Sequence, residues 1–147
     1  MSHPMKISDA ASLGMHTMAL LADSDEGPVT THEMATLLDV SEAHLAKVMQ
    51  RLVHAGLVRS ERGPRGGFTL ARAGSQISLL EVYETIEGPL SENTCLLKSR
   101  ICGGSACIMG DLLQKMNRDF REYLAKTKLT DVTGAYKELL EKRTIHA

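Results

Sequence analysis

The stretch Ser41-Glu-Ala-His-Leu-Ala-Lys-Val-Met-Gln-Arg-Leu-Val-His-Ala-Gly56 runs without a break into Leu57-Val-Arg-Ser-Glu-Arg62, Gly63-Pro64-Arg65-Gly66-Gly67 and Phe68-Thr-Leu-Ala-Arg72. Its first part places Leu45, Val48, Met49, Leu52 and Val53 at i, i+3, i+4, i+7 and i+8, one apolar face of a helix. Ser41 stands where an N-cap belongs, and Gly56 where a helix-ending glycine belongs. Beyond Gly56 the pattern changes. Residues 57–62 and 68–72 read as two short strands, joined by a loop too rich in Gly for a helix.

Upstream, residues 8–22 carry Ala11, Met15, Met18 and Ala22 at helical spacing behind Ser8, a good N-cap. Asp23-Ser-Asp-Glu-Gly27-Pro28 breaks that helix. Thr30-Thr-His-Glu33 is a capping box, opening a short helix through Leu38 with Met34, Ala35 and Leu38 inward. Asp39-Val40 makes a tight turn before Ser41. Helix, helix, turn, helix and basic hairpin, in that order, spell a winged helix-turn-helix with the hairpin as its wing.

Downstream, Ser78 starts another helix with Leu79, Val82, Tyr83 and Ile86, which Gly88-Pro89 stops. Residues 105–126 then carry Met109, Leu112, Leu113, Met116, Phe120, Tyr123 and Leu124, a long amphipathic stripe of about six turns. A long helix without a following wall of core elements asks for a partner, so the spacing predicts a two-fold homodimer through residues of about 105–128. Thr130 is expected to cap a last helix with Val132, Tyr136, Leu139 and Leu140. The expected fold is mainly α with a small β-hairpin wing.

The chain has 147 residues, enough to bury a core without disulfides. Aromatics are only 3% and Trp is absent, so the core falls to Leu, Val, Ile, Ala and the eight Met. Net charge is −1, yet residues 41–72 set Lys47, Arg51, Arg59, Arg62, Arg65 and Arg72 against Glu42 and Glu61 alone, a local +4. That concentration is the footprint of phosphate contact. No apolar run approaches the ~20 residues of a membrane span, and no signal peptide is recognisable. A cytoplasmic protein without membrane contact is expected, with Met1–Pro4 as an unpatterned leader, native or added.

All three cysteines fall in Cys95-Leu-Leu-Lys-Ser-Arg-Ile-Cys102-Gly-Gly-Ser-Ala-Cys107. An odd count in a reducing compartment argues against a disulfide framework. Thiolates gathered in one loop can converge on zinc, copper(I) or an iron–sulfur cluster. With no His/Asp pair placed near the loop by the sequence, a thiol enzyme finds no support, and no catalytic residue is assigned.

Met5-Lys-Ile-Ser-Asp-Ala-Ala-Ser-Leu-Gly-Met-His-Thr-Met-Ala-Leu-Leu-Ala22, Leu45-Ala-Lys-Val-Met-Gln-Arg-Leu-Val-His-Ala-Gly-Leu-Val58 and Arg62-Gly-Pro-Arg-Gly-Gly-Phe68 resemble the Rrf-two-type bacterial winged helix-turn-helix regulators, of the iron–sulfur cluster regulator and nitric-oxide-sensitive repressor type. The cysteine loop and Leu129-Thr-Asp-Val132 fall where that family has them. The resemblance implies a homodimeric transcription factor on double-stranded operator DNA, with a 2Fe–2S or 4Fe–4S cluster on Cys95, Cys102 and Cys107 controlling binding. Bare thiols or a zinc site acting as the switch is the alternative.

A recognition helix meets base edges with its N-terminal residues, here Ser41, Glu42, His44 and Lys47. Glu42 suits a cytosine amino group, and Ser41 and Lys47 suit phosphates. Arg65, at the wing apex, suits a narrow minor groove; Arg59 and Arg62 suit phosphates, and Phe68 packs the wing down. Six residues separate Cys95 from Cys102 and four separate Cys102 from Cys107, one place off the more common family spacing, a shift that Gly103-Gly104 can absorb. Gly110 stands where some relatives have a histidine ligand. The resemblance then points to His16 of the partner subunit as fourth ligand, with Asp9 or Ser12 as alternatives. The implied division is 1–4 leader, 5–74 DNA-binding domain, 75–92 connecting helix, 93–107 cysteine loop, 108–128 dimerisation helix and 129–147 C-terminal helix and tail.

Overall fold

Ser8 accepts the Ala11 N–H at 3.1 Å and so opens the first helix, α1 (Asp9–Asp23), as a capping serine should. The computed structural model describes residues 7–91, 94–102 and 107–145; the leader at 1–4 and the Gly103-Gly104 pair lie outside these. The capping box is present: Thr30 accepts from the Glu33 N–H at 3.1 Å, and Glu33 accepts from the Thr30 N–H at 2.8 Å. It opens α2 (Thr31–Leu38), which ends at Asp39 in the left-handed region, φ 53°. Ser41 caps α3 (Glu42–His54) by accepting the His44 N–H at 3.3 Å.

The hairpin is β1 (Val58–Glu61) and β2 (Gly67–Leu70), antiparallel from Val58↔Leu70 to Glu61↔Gly67. Both strands are shorter than the sequence suggests, although the Ala71 N–H still reaches the Leu57 carbonyl at 3.0 Å. Val29, before α2, bonds Phe68 in both directions at 2.9 and 3.1 Å and ties the wing to the helices. Gly67 makes this possible: its φ is 147°, and a Cβ there would stand 2.7 Å from the Val29 backbone.

Ser78 caps α4 (Leu79–Glu87), and Gly88 ends it. The later helices depart from expectation. The chain turns at 107–110, where the Gly110 N–H meets the Cys107 carbonyl at 3.0 Å with Gly110 at φ 57°, so α5 (Leu112–Lys126) starts at 112. Thr130 caps no α-helix. It lies in the 3-10 turn Leu129–Val132, and Gly134 at φ 98° delays the last helix, α6, to Lys137–Ile145.

Met18, Leu20, Met34, Leu45, Met49, Leu52, Leu57 and Ile77 are fully buried. Three of them are Met, standing where a core poor in aromatics needs adaptable bulk. Each such side chain contributes about 1.5–3 kcal/mol. α1 runs through the middle of this core against α3 and α4. Bonds from Leu79 N–H to the Thr127 carbonyl, 2.9 Å, and from Leu129 N–H to the Ile77 carbonyl, 3.0 Å, seat the end of α5 on the start of α4. Among the described residues no helix is long and apolar enough to cross a membrane.

Candidate functional site

Ser41, Glu42, His44 and Lys47 are all exposed at the front of α3, while Leu45, Val48, Met49 and Leu52 anchor its other face. Arg59, Arg62 and Arg65 are exposed on and around the wing. The wing tip is compact: the Gly66 N–H meets the Gly63 carbonyl at 2.9 Å, and a Cβ on Gly66 would lie 2.6 Å from the Glu61 carbonyl oxygen. Phe68 is half-buried against the core and packs the wing down. Arg51 faces elsewhere; its guanidinium donates to the Ile86 carbonyl at 3.0 Å, in the last turn of α4.

Two residues escape a reading by sequence, one at this front and one at the far end of α1. His32, on α2, donates from Nδ1 to Glu42 Oε2 at 3.0 Å. That hydrogen bond, more than the charge of Glu42 itself, holds the His32 imidazole above its ordinary pKa. Asp23 is buried at the end of α1 and accepts the Gly134 N–H at 2.7 Å and the Tyr136 N–H at 2.9 Å. It reads in sequence as part of a polar helix breaker, and nothing local marks it as a clamp for a segment more than 100 positions away.

Cys95, Cys102 and Cys107 are brought to one cavity of about 360 Å³, which Leu96, Leu97, Ile101, Ile108 and Met109 also line among the described residues. None of the three is in a disulfide. Three soft sulfurs in an apolar wall match a sulfur-held metal group in donor chemistry. Among the described residues, no three His, Cys, Asp or Glu side chains are grouped closely enough to hold a metal ion by themselves.

His16 is exposed on α1 and lines a different groove of about 460 Å³ with Asp9, Ser12, Ser41 and His44. Its Nδ1 lies 2.7 Å from the Ser12 carbonyl oxygen. A carbonyl only accepts, so Nδ1 is the donor, which leaves Nε2 as the nitrogen that can ligate a metal. The resemblance points to His16, with Asp9 or Ser12 as alternatives; the structure adds that all three share a groove with the start of α3.

A helix with a polar, exposed front beside an arginine wing on a glycine-rich tip defines a winged helix-turn-helix DNA-binding regulator. The chain belongs to the Rrf2 family: the family model described as an iron-dependent transcriptional regulator matches residues 7–135. It is 30% identical to the HTH-type transcriptional repressor NsrR of Streptomyces coelicolor over 136 residues, covering 88% of this chain and 87% of that one. Among solved structures it is similar to CymR, the global cysteine regulator of B. subtilis, at TM-score 0.73 and 27% identity, covering 87% of this chain and 95% of CymR. IscR of T. potens matches at TM-score 0.68 and 29% identity, over 86% of this chain and 85% of IscR.

Proposed function

We propose that a cytoplasmic homodimer of this chain reads operator DNA and that its three-cysteine loop holds the group that controls reading, an iron–sulfur cluster before zinc or bare thiols. The observation that carries this is the soft-donor cavity formed by Cys95, Cys102 and Cys107 in a winged helix regulator of the Rrf2 family. Ser41, Glu42, His44 and Lys47 enter the major groove, Arg65 the minor groove, and Arg59 and Arg62 hold phosphates. The functional units are the head at 5–74, the connecting helix at 75–92, the loop at 93–107, the dimer helix at 108–128 and the tail beyond. Leu112, Met116 and Tyr123 are exposed along one side of α5, next to the side that buries Leu113 and Leu124, and with the exposed Ile108 just ahead of the helix they supply the dimer face.

When bound, a 2Fe–2S or 4Fe–4S cluster supplies a centre whose oxidation state and ligation follow cellular redox and nitric oxide. The chain's part is to hold and to transmit. Cys95, Cys102 and Cys107 would hold the cluster, with His16 of the partner subunit as fourth ligand and Asp9 or Ser12 of the same groove as alternatives. Because that groove also contains Ser41 and His44, a pull on α1 is felt at the first turn of α3. A coupling of about 1–3 kcal/mol changes affinity by about 5–150-fold.

Oxygen-free purification with iron, sulfide and absorbance measurements tests this directly. Iron, sulfide and visible absorbance that vanish in the Cys95/Cys102/Cys107→Ser protein are expected. A preparation free of iron and colour sinks the cluster reading. Stoichiometric zinc or reversible thiol oxidation would favour the second reading, to which the exposed Cys102 lends weight.

A further inference from the structure

We propose that His32 is a positioning residue for DNA reading: it holds the Glu42 carboxylate at the front of the recognition helix, and its protonation sets how readily that front approaches phosphates. The proposal rests on the reading of α3 as the recognition helix and goes beyond it by adding a residue on a different helix.

His32 is the second residue of α2 and Glu42 the first of α3, so the contact joins the leading ends of both helices of the helix-turn-helix. Their side chains are 77% and 56% exposed. An ion pair so exposed adds little to stability. Ser41 already caps α3, so Glu42 is not needed for that purpose. What the pair does change is the charge and the aim of the reading surface.

Unpaired, a carboxylate at this point repels the DNA backbone. With Oε2 engaged by His32, Glu42 keeps Oε1 to accept from a cytosine amino group. Nδ1 retains its proton against Glu42, so titration takes place at Nε2. Protonated, the ring and the carboxylate cancel; neutral, the ring leaves the pair at −1. The neighbouring charges do not reverse this sign. On α2 itself Glu33 favours the cation, and Glu33 is ion-paired at 3.2 Å with Arg143 of α6. On α3 the exposed His44 and Lys47 follow Glu42.

Phosphates near the ring favour the imidazolium further, so binding takes up a proton and affinity falls as pH rises through the His32 titration. The test uses the full-length protein and a duplex that the wild type enriches from a random-sequence pool, at constant salt, between about pH 6 and pH 8.5. Wild-type affinity should fall about tenfold across that range for each reading head engaged, the equivalent of a one-unit rise of that head's ring pKa on binding. His32→Gln should flatten the profile. Glu42→Gln should bind more tightly than wild type at the alkaline end, lose preference at one G·C pair, and lower the midpoint of the His32 ring titration followed by NMR. An unchanged slope in His32→Gln overturns the inference while leaving the reading of the head intact. A pool from which nothing is enriched overturns both.

Discussion

The aliphatic side chains of the DNA-binding head and those of the cysteine loop are the same residue types in opposite circumstances. In the head, Leu20, Leu45 and Leu52 are 0% exposed; around the thiols, Ile101 is 79% exposed and Ile108 93%. The head closes on itself, because each of its helices has its N-terminal donors met by a side chain: Ser8, Thr30, Ser41 and, for the helix that backs it, Ser78. α5 has Asp111 at its N-cap position but no side-chain cap bond. The head is therefore a finished binding surface, whereas the described residues of the loop present thiols and apolar groups that the core does not cover. That division fits the controlling role proposed for the loop, since a part that responds must have energy to gain from something other than the chain's own core.

The sharpest way to break the comparison is to cut equally into both regions. Leu52→Ala removes a fully buried side chain and should cost about 2–5 kcal/mol in denaturant unfolding. Ile101→Ala should change stability by less than about 0.5 kcal/mol, as for other surface positions. A large loss from Ile101→Ala in the isolated chain would show that the loop is folded into the core after all. Within the head, Gly67→Ala comes next in size. Its Cβ would fall 2.7 Å from the Val29 backbone at a φ of 147°, so about 1–3 kcal/mol should be lost, with the Val29–Phe68 bridge the first to give way. Amide exchange at Phe68 reports that directly.

The same difference governs what is legible in the sequence. The caps at Ser8, Thr30, Ser41 and Ser78 are legible because capping is local, a side chain meeting an N–H within three positions. The hairpin is legible from its glycines, although not its length, which the Val29 bridge and the Ala71–Leu57 bond decide from outside the strands. The start of α5 is not, because a hydrophobic stripe continues through 107–110 even where the backbone turns. Thr130 has the chemistry of a cap, but Asp23 takes the N–H groups of Gly134 and Tyr136, and the helix begins beyond them. Of the candidate site, exposed basic residues and clustered thiols can be picked out by type. The His32–Glu42 pair and the groove joining His16 to His44 are long-range juxtapositions that no spacing encodes.

Arg65 sharpens the comparison from the DNA side. Arg65→Ala should leave thermal stability unchanged, since the side chain is exposed at the wing turn. Duplex binding should weaken, and its salt dependence should become shallower, as the loss of a cation from the interface requires. A variant with the wild-type slope would remove Arg65 from the interface and move the wing from reader to spacer.

The smallest effect is expected where the two regions are tied together. Tyr136 follows the turn that Asp23 clamps, and its ring meets that of His16 edge-on at 6.4 Å between centroids. Burial, with the nearby Asp23 carboxylate second, holds the Tyr136 phenol above its ordinary 10.0. A raised phenol pKa means that the folded state keeps the proton while the unfolded chain begins to release it. Stability from this source is therefore whole below about pH 10 and declines as pH climbs from there through the folded-state value. Tyr136→Phe should remove that alkaline decline and barely alter stability at neutral pH. It should also leave the neutral-pH duplex affinity of the cofactor-free protein as it was, because the ring contact of Tyr136 is with the candidate ligand His16 on α1. Loss of duplex binding in cofactor-free Tyr136→Phe would mean that the C-terminal segment acts on the reading helix without any group at the thiols, and the separation of a finished head from an unfinished sensor would fail at its seam.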